Sequence, residues 1–329
     1  MGPQPLVAVS YPADDDFRRI NAEVLAGDAA LVFTHELDPA ERARALRDAE
    51  VLLAWDLPAE LPAGALRAAP RLRFAQLLNA GVDSVDFSEF PEGLMVACNA
   101  GAYAGPMAEH VMAMTLALGK RLPRRHAALA AGRFEKWAPS LVLDGAVCGI
   151  LGFGGIGIAV GRLMRAFGAR VHALNRTGQT SEPVEFAGTL ADLDRVLAAA
   201  DVLVISLPLT RASRGLIGVR ELSLMKPAAV LVNVARGAII DQAALYQHLC
   251  SHPEFSAGID TWWHEPAAGE PFRVDYPFFT LPNIIGSPHN SSIVAGTMLS
   301  AAQVAAENVR RYLRGEKVAG LVRRSDYVA

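Results

Sequence analysis

The sequence predicts an α/β protein with doubly wound parallel sheets, divided into two domains. Short, continuously apolar runs alternate with segments of helical periodicity, which is the pattern of parallel strands covered by helices on both faces. The chain has 329 residues, enough for two such domains. A glycine-rich turn with Gly152, Gly154 and Gly157 separates an apolar run from a helical run near its middle. Each half is therefore expected to contain one parallel sheet.

The strand-like runs fall into two groups. Those of the first group, with the helical segments between them, are Leu6–Val9, Asp15–Leu25 (helical), Leu31–Phe33, Pro39–Ala49 (helical), Val51–Trp55, Leu72–Leu78 and Met95–Cys98. Those of the second group are Val147–Leu151, Val171–Leu174, Val202–Ser206, Val230–Val234, Phe255–Asp260 and Ile284–Gly286.

Three further segments define how the halves are expected to connect. Ala104–Leu122 has helical spacing and is predicted to be one long helix that joins them. Gly132–Gly145 is rich in aromatic and turn residues and is predicted to be an extended arm. Ser291–Arg314 is helical again, and we expect this helix to return to the first half. The predicted domains are thus 1–103 with 291–329, and 104–290.

The glycine turn has the spacing G-x-G-x-x-G, and it stands between a strand pattern and the helical pattern Ile158–Phe167. In this context the first glycine allows the tight turn, and the second lets the backbone approach a pyrophosphate. The third lets the helix pack close to the strand. Free N–H groups at the helix start, around Gly155 and Ile156, then bind phosphate. The turn predicts a dinucleotide site, although a glycine-rich turn in another kind of α/β protein is the alternative.

Composition and charge exclude several other classes of protein. The formal net charge is −3, and no basic tract suggests binding to nucleic acid. The most apolar run, Val111–Leu118, is too short to span a bilayer, and no secretory signal pattern opens the chain. The three cysteines are far apart, which fits a reducing cytoplasm, and no residues have metal-ligand spacing. We therefore expect a cytoplasmic protein without a metal.

Three polar residues follow successive strand patterns of the second half. Arg236 follows Val230–Val234, Glu265 follows Phe255–Asp260, and His289 follows Ile284–Gly286. Ligands of open parallel sheets bind at the carboxyl ends of the strands. An arginine can hold a carboxylate in a bidentate manner, a histidine can exchange a proton, and a nearby carboxylate stabilises the imidazolium. Each residue alone could be an ordinary surface residue. Together they are what the reversible reduction of a 2-oxo acid requires.

With these residues the chain resembles the D-isomer-specific 2-hydroxyacid dehydrogenase family. The resemblance covers almost the whole chain in order. The matching segments are Ala80-Gly81-Val82-Asp83, Gly149–Gly157, Pro208-Leu209-Thr210 with Gly215-Leu216-Ile217, Asn233–Gly237, Gly258-Ile259-Asp260 with Glu265-Pro266, and Ser287-Pro288-His289. It implies a Rossmann-type coenzyme domain inserted in a smaller, discontinuous, flavodoxin-like substrate domain. It also implies an enzyme of the EC 1.1.1 type that acts on a small 2-oxo or 2-hydroxy acid.

The resemblance also assigns roles to residues of this chain. Arg236 would hold the substrate carboxylate and keto oxygen, His289 would be the acid–base group, and Glu265 would pair with it. Backbone N–H groups around Ala80 and Gly81 would complete the carboxylate site. Leu207 and Pro208 would line the adenine side of the coenzyme, and Asp260 would face the nicotinamide carboxamide. The other residues that would bind the coenzyme are Gly152, Gly154, Gly155, Ile156, Gly157, Val234 and Ala235.

Departures from the family pattern concern the coenzyme and the pocket. Asn175-Arg176-Thr177 stands where NAD-specific members carry an acid that binds the ribose 2′-hydroxyl. The absence of this acid, next to Arg176, favours a 2′-phosphate. NADP is therefore predicted as the preferred coenzyme, with NAD possible. Arg176 could instead be an ordinary solvated loop residue. Trp262-Trp263 replaces the commoner valine–phenylalanine pair, and either ring could line the pocket or pack in the core.

Substrate and assembly remain open between several alternatives. Trp137 resembles an aromatic residue that in glyoxylate and hydroxypyruvate reductases reaches the pocket of the partner subunit. A homodimer is therefore expected, although Trp137 could serve only its interface. We expect a reductase of glyoxylate or hydroxypyruvate. Formate dehydrogenases carry glutamine at the position of Glu265, and phosphite dehydrogenases carry lysine at that of Ala80. The remaining alternatives are a nucleotide-sensing corepressor and a dehydrogenase of a related substrate such as phosphoglycerate or phosphite.

Overall fold

The computed structural model describes residues 4–267 and 269–327, which form twelve strands and ten α-helices. The strands are β1 (Leu6–Val9), β2 (Ala30–Phe33), β3 (Val51–Ala54), β4 (Phe74–Leu77), β5 (Met95–Ala97), β6 (Val147–Leu151), β7 (Arg170–Leu174), β8 (Phe186–Gly188), β9 (Val202–Ile205), β10 (Val230–Asn233), β11 (Ser256–Ile259) and β12 (Ile284–Gly286). The helices are α1 (Asp15–Leu25), α2 (Pro39–Asp48), α3 (Leu57–Glu60), α4 (Ala104–Gly119), α5 (Leu122–Ala130), α6 (Gly155–Ala166), α7 (Leu193–Ala199), α8 (Val219–Leu224), α9 (Gln242–Ser251) and α10 (Thr297–Leu313).

The chain divides into two compact units, Met1–Tyr103 with Val294–Ala329, and Ala104–Ile293. All strand pairs within them are parallel. The sheet of the first unit has the order β2-β1-β3-β4-β5, which is the flavodoxin-like order. The sheet of the second unit has the order β12-β11-β10-β9-β6-β7-β8. Counted from β6, this is the Rossmann order extended by one strand. The predicted fold class is therefore confirmed.

The first unit buries apolar side chains on both faces of its sheet. Val7 and Val9 of β1 pack in one core, while Ala8 between them packs in the other, as the two-residue period of a strand requires. Helix α10 covers the face of Val7 and Val9, where Ala305 lies fully buried. The C-terminal helix thus belongs to the core of the first unit.

The second unit is likewise layered, with helices α4 and α6 packed together and α4 also packed on β10 and β11. Helices α7, α8 and α9 contact one another in sequence, and their apolar side chains share one core with those of β9, β10 and β11. Each strand of this sheet ends in a loop at the same edge, because all the strands are parallel. That edge carries most of the residues predicted to form the site.

Four predicted helices have different bounds in the structure. The segment 39–49 ends at Asp48, and the segment 158–167 is observed as Gly155–Ala166. The segment 104–122 is divided between α4 and α5, with Arg121 in the left-handed region at φ 56°. Pro123 explains the break, since proline has no N–H and its ring clashes with the carbonyl four residues earlier. The last helix begins at Thr297 instead of Ser291, after Gly296 at φ 78°. Beyond α5 the arm 132–145 contains no helix or strand.

Candidate active site

The glycine turn connects β6 to α6 and has the close approaches that its spacing predicts. Gly152 has φ 97°, and a Cβ atom there would lie 2.4 Å from the backbone nitrogen of Leu207. A Cβ atom on Gly157 would lie 2.3 Å from the carbonyl oxygen of Gly152. Any side chain at either position would therefore displace backbone. The turn requires glycine at both positions for the packing of the chain itself.

Gly154 differs from the other two glycines because a Cβ atom there would meet nothing within 4 Å. It is the N-cap residue of α6, and no side chain caps this end of the helix in the described structure. A twelve-residue helix with an uncapped N-terminus presents N–H groups and the positive end of its dipole to the adjacent space. The backbone of Gly154, Gly155, Ile156 and Gly157 therefore fits a pyrophosphate group.

The loop after β7 is organised by the side chain of Asn175. Its Oδ1 accepts hydrogen bonds from the N–H of Thr177 at 3.0 Å, from Thr177 Oγ1 at 3.1 Å and from the N–H of Gly178 at 2.8 Å. Its Nδ2 donates to the carbonyl of Gln179 at 2.7 Å. Asn175 thus shapes the loop that carries Arg176, whose side chain is exposed together with that of Thr177.

The other predicted coenzyme contacts follow β9 and β10. Leu207 is 8% exposed and Pro208 is exposed, both directly beyond β9. Val234 and Ala235 are buried at 2% and 8% exposure beyond β10. The four residues therefore lie at the same edge of the sheet as the glycine turn, since β9 pairs with both β6 and β10.

His289 and Glu265 form a hydrogen-bonded pair at the ends of neighbouring strands β12 and β11. His289 Nδ1 lies 2.7 Å from Glu265 Oε2, and both side chains are 38% exposed. Because an ionised carboxylate only accepts hydrogen bonds, Nδ1 carries the hydrogen of this bond. Nε2 is then the ring nitrogen that can exchange a proton with a ligand.

The environment of Glu265 favours its charged form. Burial alone would raise the pKa of this carboxyl group, but the hydrogen bond with His289 and that from the Trp262 N–H lower it, as do the charges of His289 and Arg236. The net effect is a pKa below the ordinary value for glutamate. Glu265 is therefore ionised at neutral pH and accepts the Nδ1 hydrogen of His289.

Arg236 follows β10, the next strand of the sheet, and is half-buried. Its backbone carbonyl accepts a hydrogen bond from Asn233 Nδ2 at 2.9 Å, and its Nη1 donates to the carbonyl of Ala235 at 2.7 Å. Its charge acts on the Glu265 carboxylate. Arg236, Glu265 and His289 therefore come from three adjacent strand ends, so this edge brings together a cation, a carboxylate and an imidazole.

The backbone of His289 is in the left-handed region, with φ 50°. Asp260, which is fully buried, holds the loop in this conformation. Its backbone oxygen accepts from the N–H of His289 at 2.8 Å. Its carboxylate oxygens accept from the N–H groups of Asn290 at 3.1 Å and Ser291 at 3.3 Å. The predicted contact of Asp260 with a carboxamide remains a prediction.

Two residues to which the sequence analysis assigned no role, Ser287 and His110, extend this network. Ser287 Oγ donates to Asp260 Oδ1 at 2.5 Å. His110 Nε2 lies 2.9 Å from Ser287 Oγ, and it is the donor because the serine hydrogen is already used. His110 and Ser287 are 177 positions apart in the chain, so no local spacing could indicate the contact. A polar residue inside the apolar helix α4 was the only signal.

The remaining predicted residues lie elsewhere. Ala80 and Gly81 follow β4 in the first unit and are half-buried. There Asn79 Nδ2 donates to the carbonyl of Trp55 at 3.0 Å, which fixes the start of their loop. Trp137 lies in the arm and is 86% exposed, with Lys136 Nζ 4.7 Å from the ring centre. The predicted roles of all three residues in substrate binding remain predictions.

The model of the NAD-binding domain of D-isomer-specific 2-hydroxyacid dehydrogenases matches residues 112–291. The match includes the glycine turn together with Arg236, Glu265 and His289. The chain therefore belongs to the D-isomer-specific 2-hydroxyacid dehydrogenase family. It is a D-2-hydroxyacid dehydrogenase that uses a nicotinamide coenzyme.

Proteins similar to this chain match it over most of its length. A glyoxylate reductase of Thermococcus gammatolerans is 33% identical over 257 residues, which are 75% of this chain and 75% of that protein. A D-3-phosphoglycerate dehydrogenase of Methanocaldococcus jannaschii is 29% identical over 323 residues, 96% of this chain and 59% of that protein. A D-isomer-specific 2-hydroxyacid dehydrogenase from Xanthobacter autotrophicus, solved with NADPH and MES, has a TM-score of 0.77 and 26% identity, covering 99% of this chain and all of that one.

In the part of the chain that the structure describes, no helix is long and apolar enough to cross a membrane. Within the same residues, histidine, cysteine, aspartate and glutamate side chains do not form a group of three that could hold a metal ion.

Proposed function

We propose that the protein reduces a small 2-oxo acid, of the glyoxylate or hydroxypyruvate type, to the 2-hydroxy acid, which is the D isomer where the product is chiral, with NADPH as the preferred coenzyme. The observation that carries the proposal is the 2.7 Å hydrogen bond between His289 Nδ1 and Glu265 Oε2. It lies at the carboxyl edge of a sheet whose glycine turn fits a dinucleotide.

The chemistry divides between the coenzyme and the residues of this edge. When bound, the reduced nicotinamide supplies a hydride to the keto carbon of the substrate. His289 donates the proton from Nε2 to the keto oxygen, and Glu265 stabilises the imidazolium before the transfer. Arg236 holds the substrate carboxylate with its planar guanidinium and polarises the keto oxygen. One hydride and one proton together convert the carbonyl group, an aldehyde in glyoxylate and a ketone in hydroxypyruvate, to the alcohol.

The proposed preference for NADPH rests on the loop that Asn175 shapes. Arg176 is exposed on this loop, beyond the end of β7. A guanidinium at this position can make charge-assisted hydrogen bonds to a 2′-phosphate. Asn175 lacks the negative charge that would repel this phosphate, and its Oδ1 is already engaged by Thr177 and Gly178. The Xanthobacter structure, which contains NADPH, is consistent with this preference.

The proposed substrate class is supported by the names of the relatives and by Glu265. The Thermococcus relative is a glyoxylate reductase. Phosphoglycerate is the second candidate, supported by the Methanocaldococcus relative, of which this chain covers 59%. Glu265 disfavours formate as the substrate, because the resemblance places glutamine at this position in formate dehydrogenases. Ala80 disfavours phosphite, because the resemblance places lysine at this position in phosphite dehydrogenases.

The functional unit is proposed to be a homodimer in which the arm 132–145 contacts the second copy. Large apolar side chains are concentrated in α5 and the arm, where little else of the same chain covers them. The most exposed are Leu122 at 55%, Leu129 at 57%, Phe134 at 80%, Trp137 at 86% and Val142 at 61%. Clustered exposed aromatic residues are typical of interfaces.

A panel of 2-oxo acids tests the proposed function. Glyoxylate, hydroxypyruvate, pyruvate and phosphohydroxypyruvate would each be assayed by the loss of absorbance of NADPH and of NADH. We expect turnover of glyoxylate or hydroxypyruvate with NADPH and little with formate or phosphite in the reverse direction. Preferential turnover of phosphohydroxypyruvate would favour the second candidate. Tight coenzyme binding without turnover of any compound would contradict an enzyme and favour a sensor.

A further inference from the structure

Trp262 makes two hydrogen bonds that connect the parts of the candidate site. It lies in the loop after β11, beyond Asp260 and Thr261, and is only 7% exposed. Its backbone N–H donates to Glu265 Oε1 at 3.0 Å. Its indole Nε1–H donates to the backbone carbonyl of Ser287 at 2.9 Å. Ser287 stands two residues before His289, so one residue is bonded both to Glu265 and to the segment that carries its partner.

The packing around Trp262 leaves its ring little freedom. A Cβ atom on Gly286 would lie 2.5 Å from Trp262 Cζ2, so the ring occupies the space that a side chain would need there. On another side, Phe272 and Phe279 have ring centres 5.1 Å and 5.3 Å from that of Trp262. A Cβ atom on Gly237, the residue after Arg236, would lie 2.4 Å from the carbonyl carbon of Trp262. The segments that carry Arg236, Glu265 and His289 therefore all contact Trp262.

We infer that Trp262 is a positioning residue of this active site. Its indole N–H holds the Ser287 carbonyl and its ring supports Gly286, so that the imidazole of His289 stays at hydrogen-bonding distance from Glu265. The inference rests on the proposed roles of His289 and Glu265. The arrangement depends on the indole itself, because the Nε1–H is the donor to Ser287 and the ring fills the space beside Gly286.

Trp262→Phe tests the inference because it removes the N–H and keeps an aromatic ring. Trp263→Phe is the matched control. The Trp263 indole donates to the carbonyl of Ile240 at 2.7 Å, and its ring stacks on Phe278 at 5.5 Å, so it loses an equivalent bond away from His289. We expect Trp262→Phe to lower kcat roughly tenfold and to move the kcat/KM profile to lower pH, with coenzyme affinity unchanged. Trp263→Phe should leave kcat and the profile within about twofold of the wild type.

A nuclear magnetic resonance measurement gives a readout that does not depend on turnover. With ring-labelled histidine, the Nδ1 proton of His289 should appear downfield in the wild type and in Trp263→Phe, because it is hydrogen-bonded to Glu265. It should weaken or shift upfield in Trp262→Phe. Gly286→Ala, which displaces the indole from the other side, should produce the same change without removing the tryptophan.

The possible outcomes separate the two proposals. Equal changes in kcat and in the proton signal for Trp262→Phe and Trp263→Phe would overturn the positioning role, since both tryptophans would then act only on stability. An unchanged signal in both Trp262→Phe and Gly286→Ala would overturn it as well. If the wild type reduced no 2-oxo acid, the proposed function would fail, while the proton signals would still decide the role of Trp262.

Discussion

His289 combines a reactive side chain with a backbone conformation that most residues avoid. At φ 50° it lies in the left-handed region, where asparagine, aspartate and histidine are the better tolerated side chains. Three hydrogen bonds from the loop to Asp260 hold it there. Such backbone strain is commonly retained at functional sites, and it directs the imidazole of His289 towards Glu265. Histidine therefore suits this position both because its backbone tolerates the left-handed conformation and because its side chain can transfer a proton.

Arg176 offers the most direct test of coenzyme choice at the scale of one residue. One or two charge-assisted bonds to a 2′-phosphate are worth about 1.5–3 kcal/mol each. Arg176→Ala should therefore lower kcat/KM for NADPH by roughly 10- to 100-fold and change that for NADH by less than about threefold. Steady-state kinetics with both coenzymes measures the difference. Arg165→Ala is the control, because Arg165 is an exposed arginine in the last turn of α6, at the end away from the glycine turn.

Adding Asn175→Asp to Arg176→Ala should move the preference further towards NADH. The carboxylate would still accept the bonds from Thr177 and Gly178 that Asn175 accepts now, but it would lose the donor to Gln179. It would also repel a 2′-phosphate and accept a hydrogen bond from a 2′-hydroxyl. A wild type that uses NADH as well as NADPH would contradict this account of the loop.

At the scale of one element, α9 is expected to make stability depend on pH. Burial and the neighbouring His252 lower the pKa of His248 from 6.5 to about 4. The His248 ring packs edge-on against Phe255, with ring centres 4.6 Å apart. Because the folded pKa is depressed, the unfolded chain takes up a proton first. This contribution to stability is full above pH 6.5 and is lost as the pH falls towards 4.

His248→Gln should reduce that pH dependence. The pKa shift corresponds to about 3 kcal/mol at most, and we expect about 1 kcal/mol because the ring is half exposed. Urea unfolding of the wild type and of His248→Gln, measured at pH 7, 5.5 and 4.5, gives the difference. His252→Gln, which leaves His248 buried, should retain most of the dependence. Parallel curves for the wild type and His248→Gln would show that His248 does not contribute.

The elements that the sequence predicted well are those with continuous apolar runs. The predicted bounds of β1, α1 and β12 agree with the structure. Strand β8 was missed because Phe186–Gly188 is three residues long, ends in glycine and is only partly buried, so it lacks an apolar run. The predicted helix 104–122 stopped before Pro123, but α4 already ends at Gly119, and α5, which has Pro123 in its first turn, was not predicted.

At the scale of the whole molecule, the sequence predicts the site residues that follow strand ends. It does not predict those whose contacts join distant parts of the chain. Arg236, Glu265 and His289 follow adjacent parallel strands, so the topology alone brings them to one edge. His110 and the indole of Trp262 reach Ser287 from 177 and 25 positions away. Such contacts depend on helix packing and on the absence of a side chain at Gly286, which no local pattern encodes.

The proposed homodimer leads to a prediction about the arm 132–145. Phe134 and Trp137 are the most exposed large apolar residues of this segment. Burying each at an interface would contribute about 1.5–3 kcal/mol. The double variant Phe134→Ala, Trp137→Ala should therefore weaken dimerisation at least about 100-fold, which sedimentation velocity at micromolar concentration measures.

The control for this prediction is Phe167→Ala, which removes an aromatic residue that is 50% exposed and lies outside the arm. Its sedimentation should match that of the wild type. If Trp137 reaches the substrate of the second copy, Trp137→Ala alone should also change the relative rates for glyoxylate and hydroxypyruvate. A wild type that is monomeric and fully active at micromolar concentration would contradict the proposed assembly.

Proton transfer in the proposed reduction depends on His289, and replacing this residue is the most direct test. His289→Asn suits the left-handed backbone and His289→Gln is closer to the imidazole in length, and both lack its acid–base function. We predict that both lower kcat for 2-oxo acid reduction at least about 10²-fold, the usual scale for loss of a general acid. Coenzyme affinity, measured by fluorescence titration, should stay within about twofold of the wild type. Near-normal turnover in both variants would contradict the assignment of the proton transfer to His289.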